Sequence, residues 1–292
     1  MYKDQETTTA MRPAESLTPP AFPIPPLSCD CHFHIFEPGF PSIPKPFYTF
    51  PEGADLAAFQ AMQRKLGFER MVLVAPSYYG DDNRLTYEFL ARMEGQARAV
   101  LRLADDVTEA ELDKADKLGA RAIRIDLFCR ATWPLENIRA FISATAARAK
   151  TRDWHIQLFS PGPILRDLLP FLADLEDDFV IDHMGYMREA DGLTAQDFDA
   201  LLRIVAAGKC WVKLSGANRI AGKAPLATAA PVAKAFVATR PDRLIWGSDW
   251  PHLPDADTDT GVLLNLLADW VPDEATRKMI LVESPEHLFF SS

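Results

Sequence analysis

Eight short runs of β-type residues recur along the chain, most of them separated by stretches with helical spacing, and this alternation restricts the fold more than any other feature. The runs cover 28–36, 70–75, 97–103, 120–127, 154–159, 179–181, 210–214 and 244–246. Between them Leu56, Phe59, Met62 and Leu66 keep the spacing of one helix face, as do Ile138, Phe141, Ile142 and Thr145, and again Phe198, Leu201, Leu202 and Val205. Thr108-Glu109-Ala110-Glu111 reads as a capping box ahead of Leu112, and Thr194 as an N-cap. The last helices are expected over 261–270 and 274–281. Strands that alternate with helices in this number predict an α/β chain folded as a single (β/α)8 TIM barrel. An open doubly wound sheet would want a glycine-rich first turn, and this one carries His32, His34 and Phe36 instead.

The barrel is expected over 28–292, since no Gly/Ser linker interrupts it. Residues 1–27 hold Pro13, Pro19, Pro20, Pro23, Pro25 and Pro26 with few apolar anchors, which predicts an extended Pro-rich N-terminal arm. Phe22 and Ile24 could pin its end onto the barrel or onto a neighbouring subunit. A net charge of −10 argues against a nucleic-acid partner, while a few local arginines can still attract a small anion. No apolar run reaches a membrane span and no secretory apolar region opens the chain, so a cytoplasmic protein is expected. A homo-oligomer is expected from barrel habit alone. The four cysteines suggest no disulfide framework. Strand alternation puts Cys29, Cys31 and Phe33 on one face and Asp30, His32 and His34 on the other, so the cysteines and histidines cannot share one zinc ion.

In such a barrel the chemistry sits at the C-terminal strand ends. There the chain places His32 and His34, then Ser77 and Tyr78, then Arg124 with Arg130 beyond it, then Gln157, His183, and Asp249 with His252. Arg219 lies in the loop after the seventh strand. His32, His34, His183 and Asp249 suit a single divalent ion such as zinc. They equally suit metal-free work in which imidazoles polarise a carbonyl and the carboxylate takes a proton. Arg124, Arg130 and Arg219 offer planar forks for carboxylates, with a buried pair to Asp126 or Asp182 as the alternative for Arg124. Tyr48 and Tyr78 either line the mouth or pack. His252 either touches substrate or supports a neighbour, His155 is read as a core histidine, and His287 as part of the last helix.

The stretches Asp30-Cys31-His32-Phe33-His34, Ile181-Asp182-His183-Met184-Gly185, Val212-Lys213-Leu214-Ser215-Gly216 and Trp246-Gly247-Ser248-Asp249-Trp250-Pro251-His252 resemble the amidohydrolase superfamily, in the branch called amidohydrolase family 2. Pro76-Ser77-Tyr78-Tyr79-Gly80-Asp81-Asp82-Asn83 and the ending Glu283-Ser284-Pro285-Glu286-His287-Leu288-Phe289 resemble the same branch, so the likeness spans about 28–290 in order. Within it the chain is similar to the lactonase group, whose members open or rearrange lactones of dicarboxylates and sugar acids. The resemblance implies that His32, His34 and His183 polarise a lactone carbonyl, that Asp249 is the general base, and that Arg124, Arg130 and Arg219 hold substrate carboxylate. Ser77, Tyr78, Tyr48, Gln157 and His252 complete the expected substrate contacts. The whole-chain likeness favours isomerisation of a D-galactaro-1,5-lactone to the 1,4-lactone. Hydrolytic opening of a dicarboxylate lactone is the alternative, and a zinc-dependent decarboxylase a further one. Metal-dependent members usually bring a histidine from the fifth strand. Here that strand reads Trp154-His155-Ile156-Gln157-Leu158, with His155 deep and Gln157 a poor zinc ligand, so no cofactor is expected. The expected partner is a small anionic lactone.

Overall fold

The computed structural model describes residues 10–93, 95–104 and 106–291. Eight strands are present: β1 (Cys29–Phe33), β2 (Arg70–Val74), β3 (Ala97–Leu101), β4 (Ala120–Asp126), β5 (His155–Phe159), β6 (Phe179–Ile181), β7 (Cys210–Leu214) and β8 (Leu244–Trp246). They form one sheet in the order β1 to β8, and the registered pairs are parallel. Between strands lie α1 (Leu56–Leu66), α2 (Arg84–Met93), α3 (Glu109–Leu118), α4 (Leu135–Lys150), α5 (Gly162–Ala173), α6 (Ala195–Ala207), α7 (Ala217–Ala221) and α8 (Ala230–Thr239). After β8 come α9 (Thr260–Trp270) and α10 (Glu274–Lys278). This strand order and alternation is that of a (β/α)8 barrel, as expected.

By contact density the chain divides into two compact units, one made of the residues up to Ala120 with Gly247–Ala268, the other of Arg121–Trp246 with the residues from Asp269. In the first unit the outward face of β1 packs on the helix layer. Phe33 stacks on Phe59 of α1 at 3.5 Å between ring centroids and meets Phe89 of α2 edge-on at 5.8 Å. The edge-on Phe33–Phe89 pair contributes about 1 kcal/mol beyond the area it buries. A register shift between Asp30 and Phe33 interrupts the pairing of β1 with β2 where His32 sits, a device that re-aims side chains. In the second unit Leu158, Ile142, Leu165, Leu168, Trp211 and Phe236 are buried.

Helix ends follow the local chemistry. Thr108 and Glu111 form the capping box of α3, and Thr194 caps α6 with Asp197 replying to its backbone. Each cap satisfies amides that the first turn leaves without intrahelical partners. Helices α2 and α5 add to those that the sequence spacing predicts, and α5 carries Pro170 within it. The final helical segment is irregular: π-type turns over Met279–Glu283 and Glu286–Phe290 follow α10.

Residues 10–27 contain a short 3-10 helix, Ala14–Ser16, and a turn at Pro26 and Leu27 just ahead of β1. Leu17 and Phe22 are buried, and Ile24 packs on Gly67 after α1. Among the described residues no helix is long and apolar enough to cross a membrane.

Candidate active site

In the first unit the end of β1 is zipped to the segment that follows β8. The amide of Asp249 donates to the His32 carbonyl at 2.8 Å, and the amide of His34 to the Trp250 carbonyl at 2.8 Å. Asp30 explains why the two segments meet. Its Oδ1 accepts the His32 amide at 3.1 Å and the Ser248 amide at 2.9 Å, so one buried carboxylate ties residues far apart in the chain. Ser248 adds a hydroxyl bond to the His32 carbonyl at 3.3 Å and accepts the Trp250 amide at 3.1 Å. Gly247 is required by proximity: a Cβ there would lie 2.5 Å from the His32 Cβ and 2.7 Å from its amide nitrogen.

This zip aims three polar side chains at one another. His32 Nε2 and His34 Nε2 are 3.3 Å apart, and Asp249 Oδ1 lies 3.6 Å from the first and 3.8 Å from the second. His32 and Asp249 are buried, and His34 is only partly open. Asp249 adopts a left-handed backbone with φ 62°, a conformation rare outside glycine and tolerated best by Asp and Asn. The tautomer of His34 follows from its other nitrogen. Nδ1 sits 2.7 Å from the Val74 carbonyl, which can only accept, so Nδ1 carries a proton. In neutral His34 the Nε2 lone pair then faces His32, whose Nε2–H donates to it.

The same three donors also fit a metal. Ligands of one tetrahedral zinc at ~2.0–2.2 Å stand about 3.3 Å or slightly more apart, close to the 3.3, 3.6 and 3.8 Å seen here. The Nδ1–H contact to a backbone carbonyl is likewise the outer support that histidine ligands use. The donor set His32, His34 and Asp249 therefore fits either a hydrogen-bonded pair with a carboxylate or a divalent ion.

His252 is buried, with Nε2 2.8 Å from Thr260 Oγ1. Ser77 and Tyr78 lie buried in the turn after β2, and half-buried Tyr48 stacks on Tyr78 at 5.7 Å. Asn83, which ends the family-like stretch after β2, and Arg102, for which the sequence suggests no role, hold that turn. The Asn83 side chain donates to the Arg102 carbonyl at 2.5 Å and accepts its amide at 3.3 Å, while the Arg102 guanidinium reaches Ser77 Oγ and Asp81, each at 3.4 Å.

In the second unit His183 follows β6 and begins a run in which His183, Met184, Gly185 and Tyr186 all have positive φ, between 50° and 71°. Its Nδ1 is 2.9 Å from Ser215 Oγ at the end of β7, and Gly216 leaves room for the ring, since a Cβ there would sit 2.9 Å from the His183 Cβ. One residue earlier, Asp182 pairs with Lys213 of β7 at 3.3 Å; both side chains are fully buried. Gln157 of β5 bridges the two, accepting from Lys213 Nζ at 2.7 Å and donating to Asp182 Oδ2 at 2.9 Å. Burial alone would raise the pKa of Asp182. The Lys213 ammonium, His183, Arg124 and the Gln157 bond outweigh it and hold the carboxyl below its ordinary value. Gln157, expected at the substrate, thus has both ends of its amide engaged and no exposed surface. His155 is a core histidine, as expected. It packs edge-on against Phe289 at 5.0 Å, and burial, helped by the Lys213 ammonium, pushes its pKa down to about 3.

Arg124 is buried beside Gln157 in the β4–β5 register, with its guanidinium 4.5 Å from the centre of the Phe159 ring. Arg130 is half-buried; it donates to the Asp126 carbonyl at 3.1 Å and lies 4.4 Å over Phe141. Arg219 is half-buried on α7, and its carbonyl accepts from Arg188 at 3.1 Å. His287, expected in the last helix, lies in its irregular turn and stacks on Trp211 at 5.6 Å.

The family model described as Amidohydrolase matches residues 29–290. A 4-sulfomuconolactone hydrolase of Hydrogenophaga intermedia is 34% identical over 95% of this chain and 93% of its own length. A D-galactarolactone isomerase of Agrobacterium fabrum (strain C58) is 30% identical over 92% of each chain. An apo crystal structure from Agrobacterium tumefaciens superposes with a TM-score of 0.80 at 27% identity, covering 93% of this chain and 96% of that one.

Proposed function

Because the chain belongs to the amidohydrolase family and is an enzyme, we propose that it opens an anionic lactone by hydrolysis, with Asp249 as general base. The observation that carries this reading is the buried Asp249 carboxylate set 3.6 and 3.8 Å from the Nε2 atoms of His32 and His34. A carboxylate there can take a proton from an attacking oxygen and return it to a leaving one. Water attacks the lactone carbonyl carbon as its proton passes to Asp249. The negative charge that develops on the carbonyl oxygen is met by an imidazole N–H. Collapse breaks the ring C–O bond, and the proton held by Asp249 goes to the departing ring oxygen, which leaves a hydroxy acid.

On the family resemblance, His183 polarises the carbonyl and Arg124, Arg130 and Arg219 hold the substrate's acid group. In that assignment the Ser215 hydroxyl donates to His183 Nδ1, so that Nε2 carries the proton. Ser77, Tyr78, Tyr48 and His252 stay in the proposed substrate shell, while Gln157 is assigned to the support of Asp182. A divalent ion, where bound, would be held by His32, His34 and Asp249 and would supply Lewis-acid polarisation or a water of lowered pKa. The relative of 30% identity named D-galactarolactone isomerase supports a second reading. In it a hydroxyl of the substrate replaces water, and a 1,5-lactone becomes a 1,4-lactone through the same proton transfers.

Chelator-treated protein incubated separately with 4-sulfomuconolactone, 2-pyrone-4,6-dicarboxylate and D-galactaro-1,5-lactone, followed by proton NMR, tests this. The expected product is the open acid from at least one of them. A 1,4-lactone that accumulates before any open acid establishes the isomerase instead. Activity that returns only with added zinc makes the histidines ligands. Asp249→Asn is expected to lower kcat by ~10³-fold or more with KM within a few-fold, as for an essential base whose removal spares binding. A loss of less than tenfold removes Asp249 from the chemistry.

A further inference from the structure

The Pro-rich segment ahead of β1 has no part in the proton transfers, yet it is built against the loop that carries Asp249. That loop, residues 249–259, is a chain of successive turns. The His252 amide donates to the Asp249 carbonyl at 2.8 Å, the Asp255 amide to the His252 carbonyl at 2.8 Å, and the Thr258 amide to the Asp255 carbonyl at 2.9 Å. Its far end is fixed at the start of α9, where Thr260 Oγ1 meets His252 Nε2 at 2.8 Å.

The N-terminal segment is tied to the same place. Asp259 caps α9 through Oδ1, which accepts the amides of Gly261 at 2.9 Å and Val262 at 3.2 Å. The same carboxylate takes the Thr18 amide at 3.1 Å and the Thr18 hydroxyl at 2.8 Å. Upstream, Arg12 donates from its amide to the Ala256 carbonyl at 3.2 Å and from Nε to the Asp257 carbonyl at 2.6 Å, and pairs with the Asp257 carboxylate at 3.2 Å. Downstream, the Asn265 side chain accepts the Ala21 amide at 2.7 Å and donates to the Pro19 carbonyl at 2.9 Å. The approach is so close that a Cβ on Gly261 would overlap the Thr18 carbonyl oxygen and lie 2.8 Å from the Thr18 carbonyl carbon.

We propose that residues 12–21 are a strap that holds the 249–259 loop in the geometry that presents Asp249, with Thr18 and Asp259 as positioning residues that act through Thr260 and His252. The inference rests on the reading of Asp249 as the base. It goes beyond that reading by assigning a role to a segment ahead of the 29–290 stretch that the family model covers. Prolines suit a strap because their fixed φ lowers the entropy lost when an extended chain is laid down. Without the strap, Asp259 can still cap α9 and the bonds to His32 and His34 still hold residues 249 and 250, while residues 251–259 lose the Arg12 and Thr18 ties and retain their turn bonds and the His252–Thr260 contact.

Gly261→Ala separates the strap from the helix. Alanine is the better helix former by about 1 kcal/mol, so α9 is not weakened, while the new methyl group forces Thr18 away. Hydrogen exchange read by mass spectrometry is expected to speed up in peptides covering 10–24 and also in peptides covering 249–259. In the same variant kcat for the lactone turned over by the parent falls at least tenfold, with KM within threefold. Faster exchange in 10–24 with parent-like exchange in 249–259 overturns the proposal, as does an unchanged kcat where Asp249→Asn abolishes turnover. If Asp249→Asn itself retains turnover, the reading of Asp249 fails and the exchange of 249–259 alone decides the strap. Should Gly261→Ala not fold, Asp259→Asn serves in its place. Asparagine caps a helix about as well as aspartate but puts an NH2 group in place of Oδ2, which takes the Thr18 hydroxyl at 2.8 Å and the nearer of the two Thr18 amide contacts, 3.1 Å against 3.2 Å on Oδ1, and the same outcomes apply.

Discussion

Lys213→Met tests the electrostatic logic of the second unit. Lys213 Nζ is fully buried, 2.7 Å from Gln157 Oε1 and 3.3 Å from Asp182 Oδ1. Methionine fills most of the same volume, so the change removes a charge without opening a large void. At that separation and an effective dielectric of ~20 the attraction is about 5 kcal/mol. Removal of one member of a buried pair typically costs ~3–5 kcal/mol, because the survivor keeps its desolvation penalty. The expected loss of unfolding free energy is therefore about 4 kcal/mol at pH 7.5, measured by urea denaturation with the m-value checked for constancy. Asp182→Asn in the same chain is expected to restore more than 2 kcal/mol of that loss, since the orphaned carboxylate is then gone. The pH dependence has a definite sign. In the parent the folded pKa of Asp182 is depressed, so its contribution is present above the ordinary carboxylate range and lost as pH falls through the folded value. Without the ammonium that folded value is higher, so the variant takes up its proton first and its deficit shrinks on acidification. A loss below ~1 kcal/mol, or an additive double variant, would refute the claim that Lys213 and Asp182 compensate one another.

Two further outcomes are expected. His155 is held neutral, with its pKa pushed from 6.5 to about 3, so the unfolded chain binds a proton that the folded one refuses between those values. That contribution to stability is full above about 6.5 and is lost as pH falls toward 3. His155→Gln should therefore flatten the stability profile between about pH 5 and 6 by roughly 1.4 kcal/mol per pH unit, and an unchanged slope would contradict the burial argument. Gly247→Ala places a methyl 2.5 Å from the His32 Cβ and 2.7 Å from its amide nitrogen, where backbone must move. It is expected to cost ~1–3 kcal/mol in denaturation midpoints and to lower kcat more than it raises KM; an Ala variant with parent-like stability and turnover would show that the approach is not tight.

Much of this molecule could be read from residues alone because its signals are local. The eight β-type runs lie within a few residues of the observed strands, and Thr108 and Thr194 cap helices as their spacing required. His32, His34 and Asp249 come together because strand alternation and strand order suffice to place them. What was not legible depends on partners distant in sequence. Asp30 works by accepting an amide from Ser248, and nothing in Asp-Cys-His announces that bond. Gln157 has the position of a substrate contact, but Asp182, just after the neighbouring β6, and Lys213 of β7 occupy both ends of its amide. Asn83 and Arg102 look like ordinary loop and strand-end polar residues until the backbone bonds of Arg102 are seen on the Asn83 side chain. The left-handed turn at His183 has a single glycine to advertise it, at Gly185.

That turn bears on how the sequence can drift. Left-handed backbone costs an ordinary residue roughly 1–2 kcal/mol, yet Met184 and Tyr186 adopt it, and both are buried. Their side chains are thus retained for what they fill, against what their backbone prefers. Asparagine or glycine would relax the chain at either place and leave a hole in the packing, so neither step improves both. A saturation library across 184–186 should return few survivors, and those in linked pairs, one change easing the backbone while a neighbour enlarges to fill the space. Mutational reach at the end of β6 is set by the shape of the peptide as much as by the imidazole beside it.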